Sequence, residues 1–418
     1  MSRFLAWLTG TLLMLVLAAG GLLLVALDRQ PLIIRDATVS PEAVAQARYL
    51  LLSNDPRRLR AGAVRQTTIP AELLDEAVNY AATRFLNGRG ALALAAGEAY
   101  LHLSLSPPWL AGAYLNVSIG LRDRDGLPAV ASLRLGALPL PASLAESLLG
   151  RLLAAAGRER EREREWQLAR QAIRTTRFDG ERQRVVVAYV WQPDLLDHAR
   201  ALAVAPADLA LIRDAQTRLA TLLAQTSGKQ ASLAPLLGPL LQADEKARRA
   251  ALLVLAAYLA ERNLTPLIPE AATWPYLPQR ELTLAGRYDS AQHFIISAAL
   301  AAWAGEPLAQ AIGIDKELTD ARQGSGFSFA DLAANQAGIA FGELVVAGSP
   351  ALDALLASGP ADADLLPPLD GLPEYLYQRE FRQRYGGPGN PAYDSLLADI
   401  ERRIAALPLY RRNSALRI

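Results

Sequence analysis

The sequence predicts an α+β protein with an N-terminal transmembrane helix, a small antiparallel-sheet domain with helices, and then a mainly α-helical domain. Three observations predict it. No charged residue occurs from Phe4 to Leu27. Between Ala91 and Leu135 apolar residues alternate with polar or small ones at period two. After Asp194 the pattern is helical almost throughout.

The chain has 418 residues, more than one domain usually needs. We expect an anchor over residues 1–28 and an α+β domain over 29–157. A charged helix, hairpin and helical connector should follow over 158–243, then a helical domain over 244–348, and a linker with a helical tail over 349–418. Apolar residues make up 51%, enough for a sizeable core. Lys plus Arg (43) nearly equals Asp plus Glu (42), so no global field draws the chain to nucleic acid. Cysteine is absent, which excludes disulfides, thiolate metal sites and cysteine nucleophiles.

An uncharged helix of 24 residues reaches roughly 36 Å, enough to cross a hydrocarbon core. The apolar region is unusually long for a signal peptide and no clean small-x-small cleavage pair precedes Asp28, so the segment reads as an uncleaved anchor. Arg3 ahead of it places the N-terminus in the cytoplasm and the body in the periplasm of a bacterial inner-membrane protein. Ser40-Pro41-Glu42 then reads as a helix cap, a first-turn proline and a first-turn acid. Val64 to Ile69 is a strand, and Pro70 to Leu86 an amphipathic helix. Ala91 to Ala95, Ala99 to Ser106, Ala113 to Arg122 and Ala129 to Leu135 form an antiparallel meander. His102 falls on its polar side.

After Leu135-Gly-Ala-Leu-Pro-Leu-Pro141 a helix is expected from Ser143 to Ala156. This segment, Asp36 to Ala156, resembles membrane-anchored extracytoplasmic bacterial proteins of unknown function through its Gly136-to-Pro141 strand. The alternating Arg and Glu of 158–165 predict a solvated helix. Arg177-Phe178 and Arg184 to Trp191 make a hairpin across Asp179-Gly180. Helices follow at Asp194 to Val204 (with His198), Pro206 to Gln225, Ala231 to Gln242 and Asp244 to Arg262. Ala251 to Ala260 is too short to span and reads as buried core. Asn263 to Gln279, rich in proline, crosses as an irregular strap. In the tail, Tyr375, Tyr377, Phe381, Tyr385 and Tyr393 are expected to dock it on the body.

The chemistry concentrates between Gly286 and Val346, in three helices: Tyr288 to Ala304, Glu306 to Ala321 and Ser328 to Val346. Asp289 and His293 share a face of the first, Glu317 and Asp320 of the second, Asp331 and Asn335 of the third. Ala333, Ala334, Ala337, Gly338, Ala340 and Gly342 let neighbouring backbones approach the third helix closely. Polar groups on such a wall are costly unless partnered. The His293 ring is expected to point inward, within reach of Asp289, Glu317 or Asp320, with Lys316 free to swing outward. Ser328 and Asp331 fit a capping box.

The same stretch resembles a family of small bacterial cell-envelope proteins of unknown function. The shared pattern is Asp-x-x-x-His-Phe, then Gly-x-x-Lys-Glu-x-x-Asp, then Ser-x-x-Asp-Leu-x-x-Asn-x-x-Gly. It is met at Asp289, His293, Phe294, Gly313, Lys316, Glu317, Asp320, Ser328, Asp331, Leu332, Asn335 and Gly338.

Two functions fit. One is an envelope binding or scaffold protein, meeting lipid, glycan or protein, in which the polar cluster fixes packing. The alternative is an envelope hydrolase using His293 with Asp289, Glu317 and Asp320, where a divalent metal such as Mn, Mg or Ca would suit the oxygen-rich set. The local explanation available for each residue, as cap, surface bridge, dipole partner or core hydrogen bond, favours the first.

Overall fold

The computed structural model describes residues 25–54, 60–106, 112–141, 144, 172–191, 206–242 and 244–411. The expected span up to Leu24, most of the Ser143–Ala156 helix, the Arg/Glu run and the Asp194–Val204 helix with His198 lie outside the described residues. Leu27, the last residue of the uncharged run, sits in a short strand rather than a helix. No single helix among the described residues is long and apolar enough to cross a membrane. The fold is mixed α and β, with an antiparallel sheet and a helical C-terminal region, and it divides into two compact units, 1–198 and 199–418.

In the first unit, β1 (Leu27–Asp28) is followed by α1 (Pro41–Ser53), β2 (Val64–Pro70) and α2 (Ala71–Leu86). The Ser40 hydroxyl caps α1 by accepting from the Ala43 N–H at 3.0 Å. The meander is β3 (Gly88–Ala95), β4 (Glu98–Leu105), β5 (Tyr114–Arg124), β6 (Leu127–Leu135) and β7 (Leu138–Leu140), antiparallel and in chain order, with β1 added to β5. His102 pairs with Ser118 across β4 and β5, its Nδ1 2.9 Å from the Ser118 hydroxyl. The hairpin of β8 (Ile173–Asp179) and β9 (Arg184–Val190) forms as expected. It does not stand in a connector, however: β9 pairs along its length with β2, giving a second sheet of order β2-β9-β8. Alternation in each strand is local, so it could not reveal this partner across more than 100 residues.

The second unit begins with α3 (Pro206–Gln225), β10 (Gln230–Ser232), α4 (Ala234–Leu241) and α5 (Glu245–Leu259). The 264–280 strap holds a short 3-10 turn, and β11 (Glu281–Thr283) pairs in parallel with β10. Then come α6 (Tyr288–Ala304), α7 (Glu306–Gln323) and α8 (Phe329–Val346), at the expected positions. The tail forms α9 (Pro350–Ser358), α10 (Asp362–Leu365), α11 (Gln378–Arg384) and α12 (Pro391–Ala406). One continuous core includes Ile212 and Leu219 of α3, Leu252 and Leu255 of α5, Phe294, Phe341, and Tyr393 of the tail.

Close approach of α6 and α8 organises this core. A Cβ built on Gly338 would stand 2.1 Å from the Phe294 carbonyl oxygen, and one on Gly342 2.3 Å from that of Ala298. Asp331, Asn335, Gly338 and Gly342 are spaced four, three and four, so one face of α8 carries both the glycines and the polar pair. Backbone contact at the glycines thereby turns Asp331 and Asn335 toward His293 and Ser297 of α6. The tail docks through rings: Phe381 stacks on Phe327 at 4.2 Å, and Tyr385 and Tyr393 meet Phe329 at 4.9 and 5.7 Å. Tyr375 and Tyr377 are exposed instead and take no part.

Candidate polar centre

His293 is buried (6% exposed) and Glu317 wholly so (0%), while Asp331 is nearly enclosed. His293 Nε2 lies 3.4 Å from Asp331 Oδ2, and Nδ1 lies 3.9 Å from Glu317 Oε1. Nδ1 is 3.1 Å from Asn335 Oδ1, which also accepts from the Ser297 hydroxyl at 2.8 Å. Lys316 Nζ is 3.3 Å from Nε2 and 2.8 Å from Asp320 Oδ2. An ammonium only donates, so Nε2 accepts and the ring proton sits on Nδ1, where it donates to Asn335.

Sequence reading and structure differ at three places. Lys316 does not swing away: although its side chain is 48% exposed, the ammonium turns back onto Nε2, Glu317 Oε1 at 3.4 Å and Asp320. Asp289 is on the expected face of α6 but is held by Arg287 in a two-pronged pair at 3.0 and 2.7 Å, and Arg287 grips Glu374 of the tail at 3.0 and 2.6 Å. Asp331, expected as a capping acid, is the carboxylate beside the imidazole. The Ser328 hydroxyl does accept from the Asp331 N–H at 3.0 Å, but the Ser328 N–H donates to Glu317 Oε2 at 3.2 Å and not to Asp331. Glu317 completes the cap from a neighbouring helix and leaves the Asp331 side chain free for His293.

Arg287, Glu374 and Ser297 were not singled out from the sequence. Arg287 lies two residues before Asp289, a local signal that could have been read. Glu374 lies 87 residues from Arg287, and nothing in a single sequence links them.

Burial sets the charges. Desolvation pushes the Glu317 carboxyl up to about 7 and the Asp331 carboxyl up to about 6. Desolvation, aided by the Lys316 ammonium, holds His293 down to about 4, so the imidazole is neutral at pH 7. Burial opposes the Lys316 charge, but Glu317 and Asp320 outweigh it and hold its pKa above the ordinary lysine value. Arg287 keeps Asp289 below the usual carboxylate range.

One ligand atom each from His293, Glu317 and Asp331 lies within 4.8 Å of the others, so this buried group could hold a metal ion. Among the described residues, Asp331 Oδ1, Asn335 Nδ2 and Ser290 Oγ are buried without a hydrogen-bond partner. With Nδ1–H committed to Asn335, the nitrogen left for a cation is Nε2. A carboxamide behind the imidazole is the arrangement that orients a histidine ligand. The set expected from sequence shared His293 and Glu317 with this group but took Asp289 and Asp320 in place of Asp331. Compared with known proteins, the chain matches no family model, no curated protein and no solved structure.

Proposed function

We propose that the chain is a single-pass inner-membrane protein with a periplasmic body, an envelope binding or scaffold protein whose helical unit is locked by one divalent cation at His293, Glu317 and Asp331. The uncharged run behind Arg3 and the resemblance of residues 286–343 to cell-envelope proteins support the placement. The observation that carries the cation reading is the convergence of three ligand atoms from α6, α7 and α8 beside the unpartnered Asp331 Oδ1. One imidazole nitrogen and two carboxylates suit Mn²⁺ or Mg²⁺ better than a thiolate-seeking ion. Bound there, the ion joins three helices, which is a stabilising role. Metal analysis and melting of the full-length protein in detergent test this. About one equivalent of Mn²⁺, lost in His293→Asn, and a melting temperature that falls with chelator are expected. No bound ion and no shift would sink the reading. For the placement, protease added to spheroplasts should digest the body, and full protection would overturn it.

The second reading is an envelope hydrolase, favoured by one observation. Lys316, whose side chain is 48% exposed, sits directly on the buried imidazole, so a single side chain separates Nε2 from solvent. A cation held by His293 Nε2, Glu317 and Asp331 would supply an activated water there, and, with both imidazole nitrogens then engaged, the Asp320 carboxylate at the edge would serve as base. Ester and phosphoester hydrolysis that needs Mn²⁺ and disappears in His293→Asn, with unchanged melting, would favour this reading over the lock.

A further inference from the structure

A cleft of about 1120 Å³ opens in the helical unit between the end of α5 and the proline-rich strap. None of His293, Glu317 or Asp331 lines it. The strap is pinned at several points. Tyr258 Oη accepts from the Arg280 N–H at 2.7 Å, Gln216 Nε2 donates to the Pro275 carbonyl at 2.8 Å, and Ile268 is buried. Prolines at 266, 269, 275 and 278 fix φ at four positions. A cleft so held is preformed, and a ligand entering it pays little for ordering its walls.

The lining combines ring surface with charges of both signs. Trp274 and Tyr276 stand on the strap, and Tyr276 is 77% exposed. Lys229, Arg262 and Arg280 are nearly balanced by Glu261 and Glu281. An anion would meet carboxylates there, and a purely apolar ligand would strand the charged groups. One feature points to a ligand that hydrogen-bonds. Arg280 Nε is buried with no acceptor among the described residues.

We propose that this cleft binds a neutral oligosaccharide. Sugar rings offer C–H faces to Trp274 and Tyr276, and hydroxyls, which both donate and accept, meet guanidinium and carboxylate alike. The site is independent of the cation centre and shares no residue with it.

Calorimetry of the full-length protein in nanodiscs, with chitotetraose and with cellotetraose, tests the proposal. Saturable binding of at least one sugar is expected. Tyr276→Ala should weaken it about tenfold, the size of one aromatic contact, while Tyr276→Phe retains it. Because Tyr276 is exposed, its melting temperature should not change, so lost binding reads the contact and not unfolding. Absence of binding for both sugars overturns the proposal. So does binding that Tyr276→Ala leaves intact, or a preference for inorganic phosphate or a proline-rich peptide over either sugar.

Discussion

Lys316 Nζ lies 3.3 Å from Nε2 of His293, the one nitrogen of the buried imidazole not committed to Asn335. The ammonium also touches Glu317 Oε1, so it occupies the ground a divalent cation would take. Its long stem and half-exposed side chain let it withdraw to solvent. Lys316→Met should therefore raise Mn²⁺ affinity at least about tenfold at pH 7.5, since no cation has to be displaced. Titration calorimetry measures this, and unchanged or weaker affinity would show that ammonium and metal do not compete.

The raised carboxyls give the metal-free protein a defined pH dependence. Glu317, at about 7, and Asp331, at about 6, bind protons more tightly in the folded than in the unfolded state. Their contribution to stability is therefore lost as pH rises through those values. His293, at about 4, has the opposite sign and gains stability between about 4 and 6.5. Two groups against one leaves a net loss toward neutrality, at most about 1.4 kcal/mol per pH unit. Denaturant melts in chelator at pH 5 and pH 7 should show it, and Glu317→Gln should flatten it. With Mn²⁺ the trend should reverse, because binding needs both carboxylates deprotonated. A metal affinity independent of pH would count against these ligands.

Gly338→Ala should destabilise the helical unit by about 1–3 kcal/mol, the cost of overpacking. Alanine gains roughly 1 kcal/mol of helix propensity, but its methyl would sit 2.1 Å from the Phe294 carbonyl. Backbone atoms cannot rotate away as a side chain can. A stabilised variant in urea unfolding would mean that α6 and α8 are not in contact there.

The tail belongs to the core and not to a loose appendage. Phe381 packs on Phe327, Phe329, Tyr385 and Tyr393, and the same docking brings Glu374 to Arg287. Phe381→Ala should cost about 3–5 kcal/mol in denaturant unfolding. A cost below 1 kcal/mol would show an independent tail.

The sequence determined what is set within one helix or hairpin. Ser40 as a cap, the first four strands of the meander, the hairpin at Asp179-Gly180 and the borders of α6, α7 and α8 all follow from spacing and turn chemistry, which act over a few residues. It also marked His293, Glu317, Asp331 and Asn335 as polar groups on apolar walls, because periodicity assigns faces. Only the tertiary structure decided which faces meet. It moved the reciprocal cap of Ser328 from Asp331 to Glu317, turned Asp289 to Arg287, folded Lys316 back on the imidazole and paired β9 with β2. All but the Arg287–Asp289 pair, only two residues apart, are contacts between chain segments whose separation leaves no periodic trace. In the helical unit, His293 meets Asp331 and Asn335 through close packing, the approach of two helix backbones at Gly338 and Gly342, which no single segment can specify alone.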